Sequence, residues 1–389
     1  MSPHGLVLHL LYLNTLCVGM SLSPAARSSP QSPTHPAVWP VAPSTPSGQD
    51  GDLAFEAAVR LCEARARGEA PLSAELPRLL RRTFEADAQQ LLSIGSHLAV
   101  NVTCMKPAGD VSSGYQCFDD DLSGLTLEPG RVCAGGCCSD ACSRVLLPDF
   151  ASSDEAEGFR SCVESLMASE EEHPHHNMYM MMCAAAGDVR ATLTFMRLVE
   201  RMRRFIAHQY GLRLRAVAPR QTFVSRIAHA PNVERQSLHA DESSFKSYHY
   251  SCVLYLSTQG CDFEGGGFFF SDPPPGADPS AERALLRLEP RAGTAVVFSS
   301  GWENMHFVEP LESGRRFAVP AFFCTSAEAD CEHANRYWPD GQTDWRQDDT
   351  AIAEALWRSA LRPEREEDFR WFMARWHALL AEVPLSRLE

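Results

Sequence analysis

The strongest constraint on the fold of this chain is a series of short β-rich segments between about residues 220 and 325. The segments are QTFVSRIA, SYHYSCVLYLS, GGFFFSD, TAVVFSS and RRFAVPAFFC, and turns rich in Gly, Pro, Asp and Ser separate them. Short strands that follow each other this closely are typical of a double-sheet jelly roll, in which two sheets enclose one core. We therefore predict a jelly-roll core for this region.

Helical patterns flank the β-rich region on both sides. Before it, Leu recurs at three-to-four spacing from Leu53 to about His97, and two amphipathic segments span Ser153–Met167 and Val189–Tyr210. After it, helical periodicity returns over Asp348–Leu361 and Pro363–Val383. The chain is therefore predicted to be an α+β protein, with a jelly-roll core, flanking helices and an N-terminal cysteine-rich region.

The N-terminus carries an apolar run from Leu6 to about Met20. This run is shorter than the roughly 20 residues that a membrane-spanning helix needs, and its length fits a secretory signal peptide. A non-cleaved membrane anchor is the alternative interpretation. We therefore expect the protein in the secretory pathway, either in the lumen or membrane of the endoplasmic reticulum or secreted.

The cysteine content also favours an oxidising compartment, since the chain has 14 cysteines. Six of them crowd into one stretch: Cys104, Cys117, Cys133, Cys137, Cys138 and Cys142. We predict disulfides there, beside an N-glycosylation sequon at Asn101. Without Cys17 the number of cysteines is odd, so at least one free or intermolecular thiol is expected. Cys252, inside a strand-like apolar run, is predicted to be a buried free thiol.

Two stretches outside the β-rich region carry residue types that bind metals. CAGGCCSDAC would be a zinc site, but its C-x3-C-C-x3-C spacing is not the usual one, and disulfides are favoured. HPHHNMYMMMC (173–183) would be a copper site, but contiguous His and Met residues are more often structural. Neither stretch is therefore our first candidate for a functional metal site.

The net charge limits the kinds of partner that the protein is expected to bind. The formal net charge of −15 argues against nucleic acid as a partner, because it opposes binding to a phosphate backbone.

The 389 residues divide into six predicted regions. The first three are a signal peptide or anchor (1–20), a disordered linker rich in Pro and Ser (21–50) and a helical and cysteine-rich region (51–142). The other three are a helical support of the roll (143–219), the roll itself (220–326) and C-terminal helices (327–389).

The first candidate for a metal site lies within the β-rich region. His239 and Asp241 stand one residue apart on a predicted turn, and His306 follows the apolar strand TAVVFSS. Two imidazoles and one carboxylate make up the facial triad of non-haem Fe(II) oxygenases. Three ligands on one face leave coordination positions open for a 2-oxo acid and O2. Glu303 and Asn304, just before His306, would either support the ligands or form the turn.

A 2-oxo acid with a second carboxylate also needs a buried cation. Arg316 stands ten residues after His306, and strand alternation places Arg315 on the opposite face, so one of the two arginines should point into the roll. A guanidinium matches a carboxylate bidentately. Tyr255 could donate to the same carboxylate, and the alternative is a tyrosine of the core. Arg316 and Tyr255 are therefore the candidate cosubstrate ligands.

These motifs together resemble the 2-oxoglutarate- and Fe(II)-dependent dioxygenases of the prolyl hydroxylase superfamily. The order HxD, LYLS, DFEGGGFFF, FSSGWENMH and PLESGRR is similar to that of the family. The sequence resembles first the "2-oxoglutarate and iron-dependent oxygenase domain-containing protein 3" type and next the prolyl 3-hydroxylases (leprecans), which share the phrase F-S-S-G-x-E-N-x-H. The resemblance covers about residues 220–325.

The resemblance implies a double-stranded β-helix with Fe(II) on His239, Asp241 and His306, and 2-oxoglutarate on Arg316 and Tyr255. It also implies hydroxylation of a C–H bond in a prolyl or other side chain of a protein or peptide. The reaction uses O2, releases succinate and CO2, and in this family often depends on L-ascorbate. A non-catalytic binding module built on the same fold is the alternative. Two departures from the family pattern are Pro320, which predicts an edge or bulge, and a long hairpin insertion at 272–286.

Overall fold

The structure is a computed structural model of the protein, and the residues that it describes are 49–67, 69, 75–94, 99–107, 127–129, 142–168, 175–179, 188–212, 217–230, 238–244, 248–272 and 283–324. The signal-peptide segment 1–20 and the predicted C-terminal helices lie outside these residues, and of the predicted linker only residues 49 and 50 are described. Within this part of the protein, no helix has the length and apolar character needed to cross a membrane.

Thirteen strands make up the β structure of the described residues: β1 (Val100–Val102), β2 (Met105–Pro107), β3 (Leu127–Pro129), β4 (Cys142–Leu147), β5 (His175–Tyr179), β6 (Ala218–Ala228), β7 (Tyr250–Tyr255), β8 (Phe263–Gly265), β9 (Phe268–Asp272), β10 (Ala284–Leu288), β11 (Ala295–Ser299), β12 (His306–Val308) and β13 (Leu311–Cys324). The large sheet has the order β1-β4-β11-β7-β13-β6-β5, with β8 also paired to β13, and a smaller sheet has the order β10-β9-β12. All these pairs are antiparallel. The two sheets are consistent with the predicted jelly roll.

The centre of the large sheet contacts a hydrophobic core on each of its two faces. In β13, Phe317 and Val319 pack on one face with the helices, whereas Ala318 belongs to a second cluster on the other face. That second cluster combines side chains of both sheets, among them Tyr255, Phe268, Phe270 and Phe298. Residues of opposite parity therefore enter different cores, and the later part of β13, FAVPAFF, is continuously apolar.

Four helices are described: α1 (Gln49–Ala66), α2 (Glu75–Ile94), α3 (Ser153–Met167) and α4 (Val189–Gln209). The single helical pattern predicted over residues 53–97 is two helices, α1 and α2. The bounds of α3 and α4 agree with the prediction to within one residue. A side-chain cap defines the start of each helix. Ser152 Oγ accepts from the N–H of Glu155, and Asp188 Oδ1 accepts from the N–H of Ala191.

A buried ionic cluster joins these helices. Asp87 of α2 binds both Arg197 and Arg201 of α4, at 2.7 and 3.0 Å. Arg201 also binds Glu155 of α3 at 2.7 Å. Burial alone would raise the pKa of Asp87, but the two arginines lower it overall. The cluster therefore links α2, α3 and α4 to one another.

Several strands were not predicted from the sequence. β4 and β5 lie where only helical support was expected, and β10 and β12 were not recognised as separate strands. The hairpin insertion at 272–286 joins β9 to β10, and its residues 273–282 lie outside the described part. A strand is recognised in a sequence by β-branched residues and by the alternation of apolar and polar residues. Very short strands, and segments such as HHNMY in β5, lack this signal.

The expectation for Pro320 was wrong about the edge. Pro320 lies in the central strand β13, opposite Val253 of β7. The bulge against β6 falls between Phe322 and Phe323, two residues later. The pairing of β13 with β6 is interrupted between Ala318 and Ala321. Pro320, which has no N–H to donate, therefore lies where β13 and β6 are not paired.

One disulfide is present among the described residues, between Cys104 and Cys142. It belongs to the predicted disulfide cluster, whose members Cys117, Cys133, Cys137 and Cys138 lie outside the described residues. Cys252 is a buried free cysteine, as predicted. The disulfide ties the segment before β2 to the start of β4, a strand of the large sheet.

Candidate metal centre

The structure brings His239, Asp241 and His306 together. The Nε2 atoms of His239 and His306 each lie 3.6 Å from Asp241 Oδ1. The ligand atoms of the three residues all lie within 4.8 Å of one another, a spacing at which a single metal ion can contact all three. These are the three residues that the sequence pattern predicted as metal ligands.

Backbone pairing fixes this arrangement. His239 and His306 form an isolated antiparallel bridge, in which the N–H of each residue donates to the carbonyl of the other, at 3.1 and 2.8 Å. Opposed residues of an antiparallel pair present their side chains on the same side, and the two imidazole centroids lie 4.4 Å apart. Ala240 is extended and fully buried, so the side chains on either side of it, His239 and Asp241, share the opposite face.

Burial and hydrogen bonds prepare the ligands electrostatically. Burial alone would raise the pKa of Asp241, but the two imidazoles and a hydrogen bond from Ser251 lower it overall. Burial lowers the pKa of His306 to about 4. An ionised carboxylate and a neutral imidazole are the protonation states that bind a metal ion. His306 Nδ1 lies 2.8 Å from the Asn304 carbonyl, which favours the tautomer with the Nε2 lone pair facing Asp241.

Aromatic side chains wall the site. The ring of His306 stacks on Phe268 at 5.0 Å and meets Phe298 edge-on at 5.1 Å. Phe270 also lies edge-on, at 6.1 Å. All three phenylalanines are buried in the core between the sheets, so they hold the imidazole in place and keep water from that side of it.

Arg316 and Tyr255 form the second part of the site. Arg316 is 4% exposed, whereas Arg315 is exposed and pairs with Glu164 at 3.0 Å. The Arg316 guanidinium lies 5.3 Å from the centre of the Tyr255 ring. Strand alternation had predicted one inward and one outward arginine, and the structure places Arg316 inside.

The polar atoms of this pair are incompletely bonded. Among the described residues, Arg316 Nε and the Tyr255 hydroxyl have no well-aligned hydrogen-bond partner. Burial lowers the pKa of Arg316, and burial raises the pKa of Tyr255 to about 12 although the nearby guanidinium opposes that rise. A buried guanidinium without a carboxylate is costly, so this pair suits the carboxylate of an anionic ligand.

The two parts of the site face the same space. Ser251 and Tyr255 stand on one face of β7, and Ser251 Oγ donates to Asp241 Oδ2 at 2.6 Å. Tyr255 belongs to the same buried cluster as Phe268 and Phe298, the neighbours of His306. The candidate metal ligands and the candidate anion ligands therefore line one interior between the two sheets.

Glu303 and Asn304 both form the turn before His306 and support that ligand, so both interpretations of these two residues apply. The buried Glu303 carboxylate accepts from Ser299 Oγ at 2.5 Å and from the N–H of Met105 at 3.2 Å. Asn304 Nδ2 donates to the Ser299 carbonyl at 2.9 Å. Burial raises the pKa of Glu303.

Sequence reasoning missed Arg144 of β4. Its Nε donates to Asn304 Oδ1 at 3.0 Å, and its Nη2 lies 2.5 Å from Asp272 Oδ1. The signal that could have identified it is a single arginine inside the apolar run CSRVLL, where a charge needs a buried partner.

Two other positions raised by the sequence are the glycosylation sequon and the His- and Met-rich stretch. Asn101 is exposed on the short strand β1, and its glycosylation remains a prediction. The His- and Met-rich stretch 173–183 contains strand β5, in which His175 Nε2 lies 3.0 Å from Ser225 Oγ. The described part of that stretch therefore has a structural role in the large sheet.

Comparison with known proteins shows what the residues around the site are similar to. Residues 226–324 match the family model of the 2OG-Fe(II) oxygenase superfamily. The sequence is 36% identical over 125 residues to "2-oxoglutarate and iron-dependent oxygenase domain-containing protein 3" from Homo sapiens, over 31% of this chain and 36% of that protein. It is 38% identical over 74 residues to "Prolyl 3-hydroxylase 1" from Homo sapiens, over 19% of this chain and 9% of that protein.

Solved structures are similar to the chain over about half of its length. A prolyl hydroxylase from Trichoplax adhaerens, solved with a hypoxia inducible factor peptide fragment, has a TM-score of 0.37 and 14% identity, over 47% of this chain and 83% of that chain. The match spans only about a third of the length of the first curated relatives. The match in sequence confirms the family resemblance over residues 226–324, which are similar to the 2OG-Fe(II) oxygenase superfamily.

Proposed function

We propose that the protein is an Fe(II)- and 2-oxoglutarate-dependent dioxygenase that hydroxylates a prolyl residue of a protein in the secretory pathway and releases succinate and CO2. The observation that carries this proposal is the pairing of two sites in one interior. A His-Asp-His cluster suited to a metal ion lies between the same two sheets as a buried arginine and tyrosine suited to a carboxylate.

Each residue has a distinct role in the proposed reaction. His239, Asp241 and His306 would hold Fe(II), which when bound supplies the activation of O2 and of the 2-oxo acid. The donor set fits this ion, because it combines a carboxylate with imidazoles, of which burial keeps His306 neutral. Arg316 would bind the distal carboxylate of 2-oxoglutarate and Tyr255 would donate to it. The phenylalanines around His306 would exclude water.

The finer parts of the proposal rest on separate observations. A prolyl target is supported by the similarity to a protein named prolyl 3-hydroxylase 1. A secretory location is supported by the apolar N-terminal run and by the disulfide between Cys104 and Cys142. The substrate is proposed to be a protein or peptide, and L-ascorbate is proposed to keep the iron reduced.

Release of succinate tests the activity. The purified protein is incubated with 2-oxoglutarate, Fe(II) and ascorbate, in parallel with His239→Ala and Arg316→Gln. Arg315→Gln is the matched control, because it removes the adjacent, exposed arginine. We expect both site variants to lose most of the succinate release and the control to retain it. Equal release by all four proteins would overturn the proposal and leave the non-catalytic binding module.

Incubation with proline-containing peptides tests the substrate. We expect a mass increase of one oxygen on a prolyl residue with the wild-type protein and none with His239→Ala. Oxygen addition to another residue type, or to no peptide despite 2-oxoglutarate turnover, would contradict the prolyl assignment.

A further inference from the structure

We propose that Arg144 is a positioning residue for His306, so that the metal site depends on a strand outside the 226–324 oxygenase match. This inference rests on the proposed Fe(II) site. Arg144 lies in β4, on the far side of β11 from β7, and 162 positions before His306 in the sequence. It is 4% exposed, although it is an arginine in an apolar strand.

Arg144 bonds the side chain of Asn304, the residue whose backbone carbonyl orients His306. The Asn304 carbonyl lies 2.8 Å from His306 Nδ1, and this contact determines the ring orientation and tautomer. The side chain of the same asparagine is held from both sides. Its Oδ1 accepts from Arg144 Nε at 3.0 Å, and its Nδ2 donates to the Ser299 carbonyl at 2.9 Å. Arg144 therefore acts on His306 through Asn304.

Arg144 also contacts the cross-strand neighbour of His306. Phe270 of β9 stands opposite His306 in the small sheet, and its ring lies edge-on to the imidazole. The Arg144 guanidinium stacks over the same phenyl ring, 4.2 Å from its centre. Two residues later in β9, Asp272 accepts from Arg144 Nη2 at 2.5 Å. One guanidinium thus touches two of the residues that constrain His306, Asn304 and Phe270.

The geometry uses properties that are specific to arginine. Nε points at Asn304 while Nη1 and Nη2 point at Asp272, so a single planar fork bridges the turn and the small sheet. A lysine has one nitrogen and cannot make these contacts together. If Arg144 served only to bury an ion pair, removing it would lower stability without selectively changing the metal site.

Titration of the metal-free, full-length protein with Co(II), followed by absorption, tests this inference. The variants are Arg144→Gln, Arg144→Lys, Asn304→Ala and the double variant Arg144→Gln/Asn304→Ala. Arg203→Gln is the control, because it removes a buried arginine that bonds Glu200 and the Val217 carbonyl. Thermal unfolding of every variant separates loss of fold from loss of affinity.

We expect each single variant at Arg144 or Asn304 to weaken Co(II) binding by roughly 10- to 100-fold, as is common for residues that orient metal ligands. The double variant should lose less Co(II) affinity than the product of the two single losses, because both changes break the shared link through Asn304. Arg203→Gln should lose stability and keep its Co(II) affinity.

The outcomes separate this inference from the proposed function. If the wild-type protein binds Co(II) and the Arg144 variants bind it equally well, the positioning role is wrong and the proposed function stands. Losses that multiply in full in the double variant would also overturn it, since the link through Asn304 would then carry no part of the effect. If Arg144→Gln does not fold, Arg144→Lys and Asn304→Ala decide the question. Absence of metal binding by the wild-type protein would overturn both proposals.

Discussion

The hydroxyl of Ser251 lies 2.6 Å from Oδ2 of Asp241, while Oδ1 of the same carboxylate lies 3.6 Å from both histidine Nε2 atoms. The two oxygens of Asp241 therefore have separate tasks. Oδ2 accepts from the Ser251 hydroxyl, which itself lies 2.6 Å from the Ser300 hydroxyl, and Oδ1 faces the histidines. A hydrogen bond to a charged group contributes about 1.5–3 kcal/mol.

Replacement of Ser251 by alanine is predicted to weaken metal binding. We expect Ser251→Ala to lower metal affinity by roughly 10- to 100-fold, because the Asp241 carboxylate loses the contact that sets its orientation. Metal titration measures the effect. Ser257→Ala is the control, since Ser257 is equally buried but bonds the backbone of Phe317. Unchanged affinity in Ser251→Ala would show that Asp241 needs no support from β7.

Replacement of Tyr255 by phenylalanine is predicted to affect the cosubstrate and spare the metal. We expect Tyr255→Phe to raise the KM for 2-oxoglutarate by roughly 10-fold or more, because one hydrogen bond to a carboxylate is lost. Metal affinity should stay the same. Kinetic assays and metal titration together make the distinction. Tyr210→Phe is the control, because its hydroxyl bonds the Ser143 carbonyl instead. A lower metal affinity with an unchanged KM would contradict the assigned role.

Sequence reasoning could find the ligands that lie beside recognisable strands. His306 follows TAVVFSS, and the alternation of β13 predicted that only one of Arg315 and Arg316 points inward, which the structure confirms. The residues His239 and Asp241 could be grouped because their spacing is short and their residue types suit iron.

The support of the site could not be predicted in the same way. Arg144 and Asn304 are 160 positions apart in the sequence, and no local sequence pattern predicts a contact between residues so far apart. β4 itself was missed, because its six residues are all buried and show no alternation. Met105 meets Glu303 through a backbone N–H, which any residue except proline would supply.

Removal of the Asp87 carboxylate is predicted to destabilise the helical support. Asp87 is 3% exposed and binds Arg197 and Arg201, so Asp87→Asn leaves two buried arginines short of a negative charge. We expect a loss of about 3–5 kcal/mol in the free energy of unfolding. Urea unfolding measures it. Glu56→Gln, which breaks the exposed pair with Arg190, should cost less than about 1 kcal/mol. Equal losses in the two variants would contradict a special role for the cluster.

The same carboxylate predicts how stability depends on pH. Asp87 has a folded-state pKa below its ordinary value of 3.8. The unfolded protein therefore binds a proton there first as the pH falls. The stability that Asp87 contributes is complete above pH 3.8 and is lost as the pH falls through the lower folded-state pKa. Urea unfolding of the wild type and Asp87→Asn across this range should converge at low pH, and a constant difference would contradict the shift.

Loss of the disulfide between Cys104 and Cys142 is predicted to destabilise the fold next to the metal site. The bond closes a loop with a sequence separation of 38, and a loop of this size corresponds to about 3–4 kcal/mol when the effect is attributed to the entropy of the unfolded state. We expect Cys104→Ser/Cys142→Ser to unfold at lower urea concentration. Cys261→Ser is the control, since Cys261 is an exposed free thiol. Equal urea midpoints for the double variant and the control would contradict the prediction.

The same variant is predicted to weaken the metal site. Cys104 directly precedes Met105, whose N–H bonds Glu303, and Cys142 stands two residues before Arg144. Both contacts support the turn that ends at His306, so the disulfide joins the two segments on which that turn rests. We therefore expect Cys104→Ser/Cys142→Ser to bind metal more weakly, even at temperatures where it stays folded. Unchanged metal affinity in the folded variant would show that the two segments hold the turn without a covalent link.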